Sequence, residues 1–431
     1  MSPRLLAGSS TLFLGAILAA GFGTVLIELV FRPFSSNRRA KARRPGFRRA
    51  QTGNPTKDGV ANNLTQLIGN TPLLRIKCLS EITGIDILAK CEFLNPGGSI
   101  KDRIALQIIR EAESTGKIIP FTSPRCRVFE GTSGSTGISL ALVARALGYE
   151  AEIVLPDDTA AEKSQLIENM GATVVKVRPV SISNRSHYVN VARQRARTFI
   201  EEGGKGIFVD QFENELNWST HYQTTGPEIW DQTRGEVDFF VAGAGTGGTI
   251  AGVGKFLKSR KSEVQLVLAD PPGSGLFNKV KHGVMFSKTE TEGKRRRHQM
   301  DTVVEGIGSN RLTKNLDEIM DTVDDAISVT DEEAINMSRF ILKEEGLFIG
   351  SSSAVNLAAS YKLAKNLQKL SRGKKRREMN DKKTTIVTIL CDSGQRHLSK
   401  FWNNQFLVHN GFRSASSDKG IDGDDAHAGR V

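Results

Sequence analysis

From Leu64 to Phe412 the chain repeats one unit: a short apolar or β-branched run, a loop, and a helix-length segment. The strand-like runs are IDILAK, RVFEG, EAEIVLP, ATVVKV, DFFVAG, VQLVLAD and TTIVTILCDSG. Between several of them lie IALQIIREAESTG, ISLALVARALG and AEKSQLIENMG, each closed by glycine, a common helix stop. Strands this apolar bury both faces, and alternation with helices supplies the cover, so the pattern demands parallel sheets in an α/β fold. A chain of 431 residues has room for two packed domains without disulfide staples. Its four cysteines, at 78, 91, 126 and 391, show neither a C-x-x-C pair nor a zinc spacing and read as reduced thiols.

The formal charge of +12 suggests nucleic acid only until it is located. Ten Lys/Arg against Glu28 alone give residues 1–57 a charge of +9, which leaves +3 on the other 374 residues. The body is nearly neutral, so no nucleic acid partner is expected. Residues 5–31, LLAGSSTLFLGAILAAGFGTVLIELVF, carry Glu28 as their one charge. As a helix they would rise about 40 Å, enough to cross a hydrocarbon core of about 30 Å with tilt. The basic cluster that follows places residues 32 onward in the cytosol by the positive-inside rule. The expectation is a single transmembrane helix (1–31), a basic disordered linker (32–61), and a mitochondrial outer-membrane location with the catalytic domain facing the cytosol. A cleaved transit sequence leading to the matrix, or an ER anchor, is the alternative. Residues from 413 onward read as a disordered tail, and the basic insert near 294–298 as a loop.

Four stretches carry chemistry. LNPGGSIKDR, 94–103, puts Lys101 where a tight turn enters a helix. A surface lysine, a phosphate ligand and a catalytic amine all fit that placement. VAGAGTGGTIAG, 241–252, follows a strand and matches G-x-G-x-x-G at Gly243, Gly245 and Gly248, with Asp270 farther on, as in a dinucleotide site. A triphosphate loop is excluded, because Thr249 stands where glycine is needed and Phe256 where Ser or Thr is needed. What is left is a small-residue turn whose N–H groups, with Thr246 and Thr249, suit a phosphate. EGTSGSTG, 130–137, is a second strand–loop–helix start, rich in hydroxyls that suit an anion. CDSG, 391–394, ends a strand where ligands of parallel sheets gather, which places Ser393 within reach of one.

Taken in order, NPGGSIKDR, GTSGSTG, HYQTTGPEIW, GTGGT and CDSG resemble the fold-type II pyridoxal-phosphate enzymes, the tryptophan synthase β-like family. Within it the set is most similar to cysteine synthase (O-acetylserine sulfhydrylase) and cystathionine β-synthase, over about residues 62–405. With the apolar segment ahead, it resembles a fungal membrane-anchored mitochondrial type. The resemblance implies two three-layer α/β domains, the larger from 62–95 plus 208–412 and the smaller from 96–207. It implies pyridoxal 5'-phosphate as cofactor and a homodimer. Lys101 would bind the cofactor aldehyde covalently. Gly245, Thr246, Gly247, Gly248 and Thr249 would form the phosphate cup, and Ser393 would meet the pyridine nitrogen. Thr132, Ser133, Gly134 and Thr136, with Gln211, would hold the substrate carboxylate. Asp102 and Arg103 read as helix-start electrostatics.

Two departures stand out. Ser135 replaces the asparagine of the family's TSGNTG loop, which bonds the cofactor 3′ oxygen, and GSSSAVN (350–356) replaces the GISSGAA common in cysteine synthases. The expected reaction is β-replacement, O-acetylserine plus sulfide giving cysteine and acetate. Cystathionine β-synthase or serine/threonine dehydratase chemistry, and a membrane-tethered cofactor-binding paralogue with little turnover, are the alternatives. A dehydrogenase would bind NAD instead. No metal is expected.

Overall fold

The computed structural model describes residues 59–286, 302–373 and 383–412. The expected transmembrane helix, the basic linker up to residue 58, the basic insert near 294–298 and the C-terminal tail lie outside the described residues. Among the described residues, no helix is long and apolar enough to cross a membrane.

Among the described residues ten strands form two sheets: β1 (Leu73–Arg75), β2 (Asp86–Cys91), β3 (Arg127–Gly131), β4 (Glu150–Pro156), β5 (Thr173–Val177), β6 (Gly206–Phe208), β7 (Phe239–Gly243), β8 (Gln265–Asp270), β9 (Asp325–Ser328) and β10 (Thr385–Leu390). The larger sheet runs β1-β2-β10-β7-β8-β9 and the smaller β5-β4-β3-β6. Every pairing is parallel except β1 with β2. The seven apolar runs all become strands. The three helical segments become Lys101–Ser114, Ser135–Ala146 and Ala161–Asn169, each ending two residues before its glycine.

The period-two alternation of the strands decides the layers. On the larger sheet Ile87, Ala89, Val241, Val267 and Ile386 face one buried cluster, beneath helices Asp331–Glu345 and Ser351–Gly373. Phe240, Ala242, Leu266, Leu268, Val387 and Ile389 face the opposite cluster, beneath helices Leu216–Gln223, Thr225–Gln232 and Gly248–Arg260. The smaller sheet packs Val128, Ile153 and Leu155 against helices Lys101–Ser114 and Ser135–Ala146. Its other face meets helix Tyr188–Glu201, where Phe129 and Phe199 lie 5.4 Å apart between ring centroids.

Arg103 corrects one expectation. It is not an exposed helix-start charge but a buried anchor, 3 % exposed. Its Nε donates to Glu92 Oε2 at 2.8 Å and its Nη2 to Glu92 Oε1 at 2.7 Å. Its Nη1 and Nη2 donate to Glu228 at 2.7 and 2.8 Å. Lys90 completes the group 2.7 Å from Glu228. Two cations and two carboxylates thus cancel inside the fold and join helix Lys101–Ser114, β2 with the turn after it, and helix Thr225–Gln232. Burial would raise both carboxyls, but Arg103 outweighs it and holds Glu92 and Glu228 below their usual range.

Removing the guanidinium leaves two carboxylates buried without their main partner. Arg103→Met should cost about 3–5 kcal/mol of unfolding free energy by denaturant titration. A loss below about 1 kcal/mol would show that the cluster is not an anchor.

Candidate active site

The carboxyl ends of β7 and β10 face the loop that follows β3 across a cavity of about 100 Å³. A wider cleft of about 470 Å³ adjoins it and shares Ser133, Phe212, Gly245 and Glu305, so these residues stand at the neck.

Lys101 lines the cavity as the first residue of its helix. The turn before it is pinned to the end of β10, since Ile100 N–H donates to Cys391 O at 3.0 Å and Ser99 bridges to Asp392. Asp102 holds the turn from the other side. Its carboxylate accepts from Gly97 N–H at 2.5 Å and from Ser139 Oγ at 2.5 Å, tying the lysine turn to helix Ser135–Ala146. Burial pushes the Asp102 carboxyl up to about 6. The Lys101 amine makes no hydrogen bond or ion pair among the described residues. Burial lowers its pKa despite the partial compensation from Cys391 and Asp392, which favours the neutral, nucleophilic amine.

The glycine loop at 245–249 supplies a cradle. Gly247, at φ 80°, precedes helix Gly248–Arg260, whose start has no side-chain cap. A Cβ there would lie 2.4 Å from Leu316 Cβ, and one on Gly245 would lie 2.1 Å from Gly306 O. Only glycine fits these two positions, and the uncapped N–H groups are left for an anion. Gly245, Thr246, Gly247 and Thr249 line the cavity, while Gly248 sits behind them. Asn217 Nδ2 donates to Thr246 Oγ1 at 3.0 Å, and His221 Nε2 lies 3.4 Å from Thr249 Oγ1. Burial first, then the charge of Lys101, drives the His221 pKa well down, so its ring is neutral beside the cradle. This donor set fits the phosphate of a pyridoxal cofactor, with Lys101 as the amine for its aldehyde.

Across the cavity, Thr132, Ser133, Ser135 and Thr136 line the second loop, and Gly134 forms its backbone at φ 138°. Thr136 donates to Gln211 Oε1 at 2.6 Å and Gln211 Nε2 donates to Gly131 O at 3.4 Å, so Gln211 braces the loop and lines the same cavity. Ser393 is the exception. It does not line the cavity; its Oγ accepts from Gln395 N–H at 3.3 Å and caps a short turn. β10 ends at Leu390, Cys391 and Asp392 still line the cavity, and Ser393 follows in an isolated bridge to Ile349. Ser352, in the first turn of helix Ser351–Gly373, lines the cavity in its stead. Cys391 is there too, its thiol pushed up to about 12 by burial and by the Asp392 charge.

Sequence reasoning missed the cavity's charged wall. Lys163, from helix Ala161–Asn169 of the smaller-sheet side, pairs with Glu305. His397 Nδ1 lies 3.3 Å from Glu305, and His397 Nε2 lies 3.1 Å from Asp392 Oδ2. Lys400 approaches Glu305 at 3.5 Å and donates to Asp158 O at 2.8 Å, while Ser399 N–H donates to Glu162 at 3.0 Å. These contacts join the helix after β4 to segments beyond β10. No spacing announces them, although a lone Glu305 flanked by small residues in VEGIG and a histidine two residues after Gln395 were on the page.

The comparisons with known proteins agree with this cavity. The family model described as pyridoxal-phosphate dependent enzyme matches residues 64–392. A "Cysteine synthase 2" of Schizosaccharomyces pombe is 48% identical, over 90% of this chain and 94% of that one. One of the same name from Neurospora crassa is 54% identical, over 78% and 72%. A Saccharomyces cerevisiae relative, 52% identical over 80% of this chain and 84% of its own, bears a name that attaches a cysteine synthase to mitochondria. Among solved structures, an O-acetylserine dependent cystathionine beta-synthase from Helicobacter pylori superposes with a TM-score of 0.63 at 29% identity, over 79% of this chain and 98% of that one.

The charged wall makes stability depend on pH. Burial alone would lower the His397 pKa, but Asp392 and Glu305 outweigh it and raise it above the ordinary value of about 6.5. Lys163 opposes the rise, and Phe401 and Lys400 complete the surroundings. A raised histidine contributes stability that is full below about pH 6.5 and is lost as pH climbs through the folded value. His397→Asn should therefore flatten the alkaline fall in melting temperature. An unchanged pH profile in the variant would contradict the assignment.

Proposed function

The chain belongs to the pyridoxal-phosphate dependent enzymes, and from that premise we propose that it is a cysteine synthase, replacing the acetoxy group of O-acetylserine with sulfide to give cysteine and acetate. The observation that carries this reading is a half-buried lysine amine, with no partner among the described residues, between two hydroxyl-rich anion loops, in a chain 48–54% identical to proteins named cysteine synthase.

Bound in the cavity, pyridoxal phosphate supplies an electron sink for charge developing at the substrate Cα. The protein's share is geometry and proton handling. Gly245, Thr246, Gly247, Gly248 and Thr249 hold the phosphate through N–H and hydroxyl donors. Lys101 would hold the aldehyde, and its amine, its pKa lowered by burial, would be the group placed to take the Cα proton. Thr132, Ser133, Gly134 and Thr136, with Gln211, hold the α-carboxylate and so fix the Cα–H bond toward that amine. Ser352, which lines the cavity where Ser393 does not, would meet the ring nitrogen, and as a neutral hydroxyl it would not hold that nitrogen protonated. Such a site would favour loss of acetate from Cβ, with sulfide forming the new C–S bond there and the Lys101 amine placed to return the proton to Cα. Ser135 leaves the 3′ side of the ring with a hydroxyl in place of a carboxamide.

The Helicobacter pylori neighbour supports a second reading in which O-acetylserine is kept and a larger thiol is the nucleophile. We also carry forward three further proposals. Residues 5–31 anchor the chain in a mitochondrial membrane, supported by their apolar length and by the yeast relative's name. The chain forms two domains, 62–95 with 208–412 and 96–207, a reading supported by its two separate sheets, whose strand β6 ends at the boundary, at Phe208. The working unit is a homodimer, on family resemblance.

Purified protein with pyridoxal phosphate should make cysteine from O-acetylserine and sulfide; cofactor-loaded protein that makes none, or that prefers homocysteine, would defeat the proposal. Lys101→Ala should abolish the visible absorbance of covalently held cofactor and cut turnover by roughly 10³-fold. Ser352→Ala should shift that absorbance and Ser393→Ala should not; the reverse outcome would restore Ser393 as the ring's partner.

A further inference from the structure

Strands β7 and β10 pair in register from Phe239↔Ile386 to Val241↔Thr388 and then part. Continued register would set Gly243 opposite Leu390, and a parallel ladder at that step has Gly243 N–H donating to Ile389 O. That bond is not made. The carboxamide of Asn356, 1 % exposed, stands between the strands. Its Oδ1 accepts from Gly243 N–H at 2.8 Å and its Nδ2 donates to Ile389 O at 2.8 Å. One side chain thus satisfies both halves of a broken ladder bond. The amide orientation is fixed, since one neighbour can only donate and the other only accept. Nδ2 also faces Cys391 Sγ at 3.6 Å.

The gap lies under the cavity, whose floor includes Gly243, Ile389, Cys391 and Asn356. Asn356 also sits one helical turn after Ser352, so its bonds to both strands fix the height of that hydroxyl. Where cysteine synthases commonly read GISSGAA, this chain places the carboxamide at the final alanine's position. We infer that Asn356 is a positioning residue: its carboxamide wedges β7 and β10 apart and, with Ser352 on the same helix face, sets the depth at which the cofactor ring lies against Lys101. The inference rests on the reading of the cavity as a pyridoxal-phosphate site.

The test compares wild-type, Asn356→Ala and Asn356→Asp full-length protein by pyridoxal phosphate titration, visible circular dichroism of the bound cofactor, and apoprotein melting temperature. Asn356→Ala should weaken cofactor binding roughly tenfold and change the sign or strength of the visible dichroism, the effect of misplacing one hydrogen-bonded contact. Asn356→Asp keeps the volume and the acceptor for Gly243 but sets an oxygen against Ile389 O. Its cofactor binding should be weak at pH 8 and recover as the carboxyl protonates on acidification. A lower melting temperature with cofactor affinity within twofold of wild type and unchanged dichroism would make Asn356 a structural residue only and overturn the inference. So would an aspartate variant that binds like wild type at pH 8. Should the alanine variant fail to fold, the aspartate variant decides alone. Wild-type protein that takes up no cofactor would defeat the underlying reading and this inference together. Cofactor-loaded wild type that makes no cysteine would defeat the synthase proposal and leave this one standing, because no readout here involves the nucleophile.

Discussion

The structure depends on a guanidinium buried two residues beyond Lys101. Arg103 directs four hydrogen bonds to Glu92 and Glu228, which belong to the region after β2 and to helix Thr225–Gln232, and a fifth, at 3.3 Å, to Thr71 Oγ1. The helix that begins at Lys101 therefore cannot slide without breaking four charge-assisted bonds in a dry interior, where each is worth more than at the surface. The lysine's freedom is confined to its own side chain. Asp102 adds a second constraint by tying the preceding turn to the anion loop's helix. Three consecutive residues thus have three jobs: Lys101 faces the cavity, Asp102 sets the turn, and Arg103 fixes the helix.

The two sides of the cavity are joined by unlike interactions. The backbone bridges at Ser99 and Ile100 belong to the lysine side and leave little play. The opposite wall is ionic, with Lys163 reaching Glu305 and through it His397 and Asp392. Ionic contacts tolerate small displacements better than ladder bonds and respond to protonation. Lys163 also packs under Gly134, where a Cβ would come 2.5 Å from its Cδ. Motion of the anion loop is thereby coupled to the charged wall, although loop and wall are far apart in the chain.

Much of this was legible in the sequence. Long β-branched runs give β2–β5, β7, β8 and β10 away, because such residues fit a sheet buried on both faces. β1, β6 and β9 have three or four residues each, too few for periodicity, and are strands only because a neighbour offers an edge. The two loops, each contiguous in sequence, were found for the same reason: a loop's chemistry is local. The charged wall was not, since Lys163 and Glu305 meet across 142 residues. Arg103 looked like any charge in a first helical turn, and burial is invisible at that range. The end of β10 pointed to Ser393, which caps a short turn, while Ser352, at a helix start with no such signal, lines the cavity. GSSSAVN was noticed as a departure, but its spacing alone could not say that Asn356 stands between two strands.

Cys391 gives this cavity an unusual relation to sulfur. With its thiol pushed up to about 12 by burial and by the Asp392 charge, Cys391 is held in the thiol form at neutral pH. A site that receives a soluble sulfur nucleophile thereby keeps its own sulfur chemically silent. The resident thiol neither competes for the electrophilic carbon nor condenses readily with oxidised sulfur species arriving with the substrate. Chemical discrimination between two sulfurs a short distance apart then comes from the surroundings: one arrives from water, and the other is held toward its thiol form by burial and the neighbouring Asp392 charge.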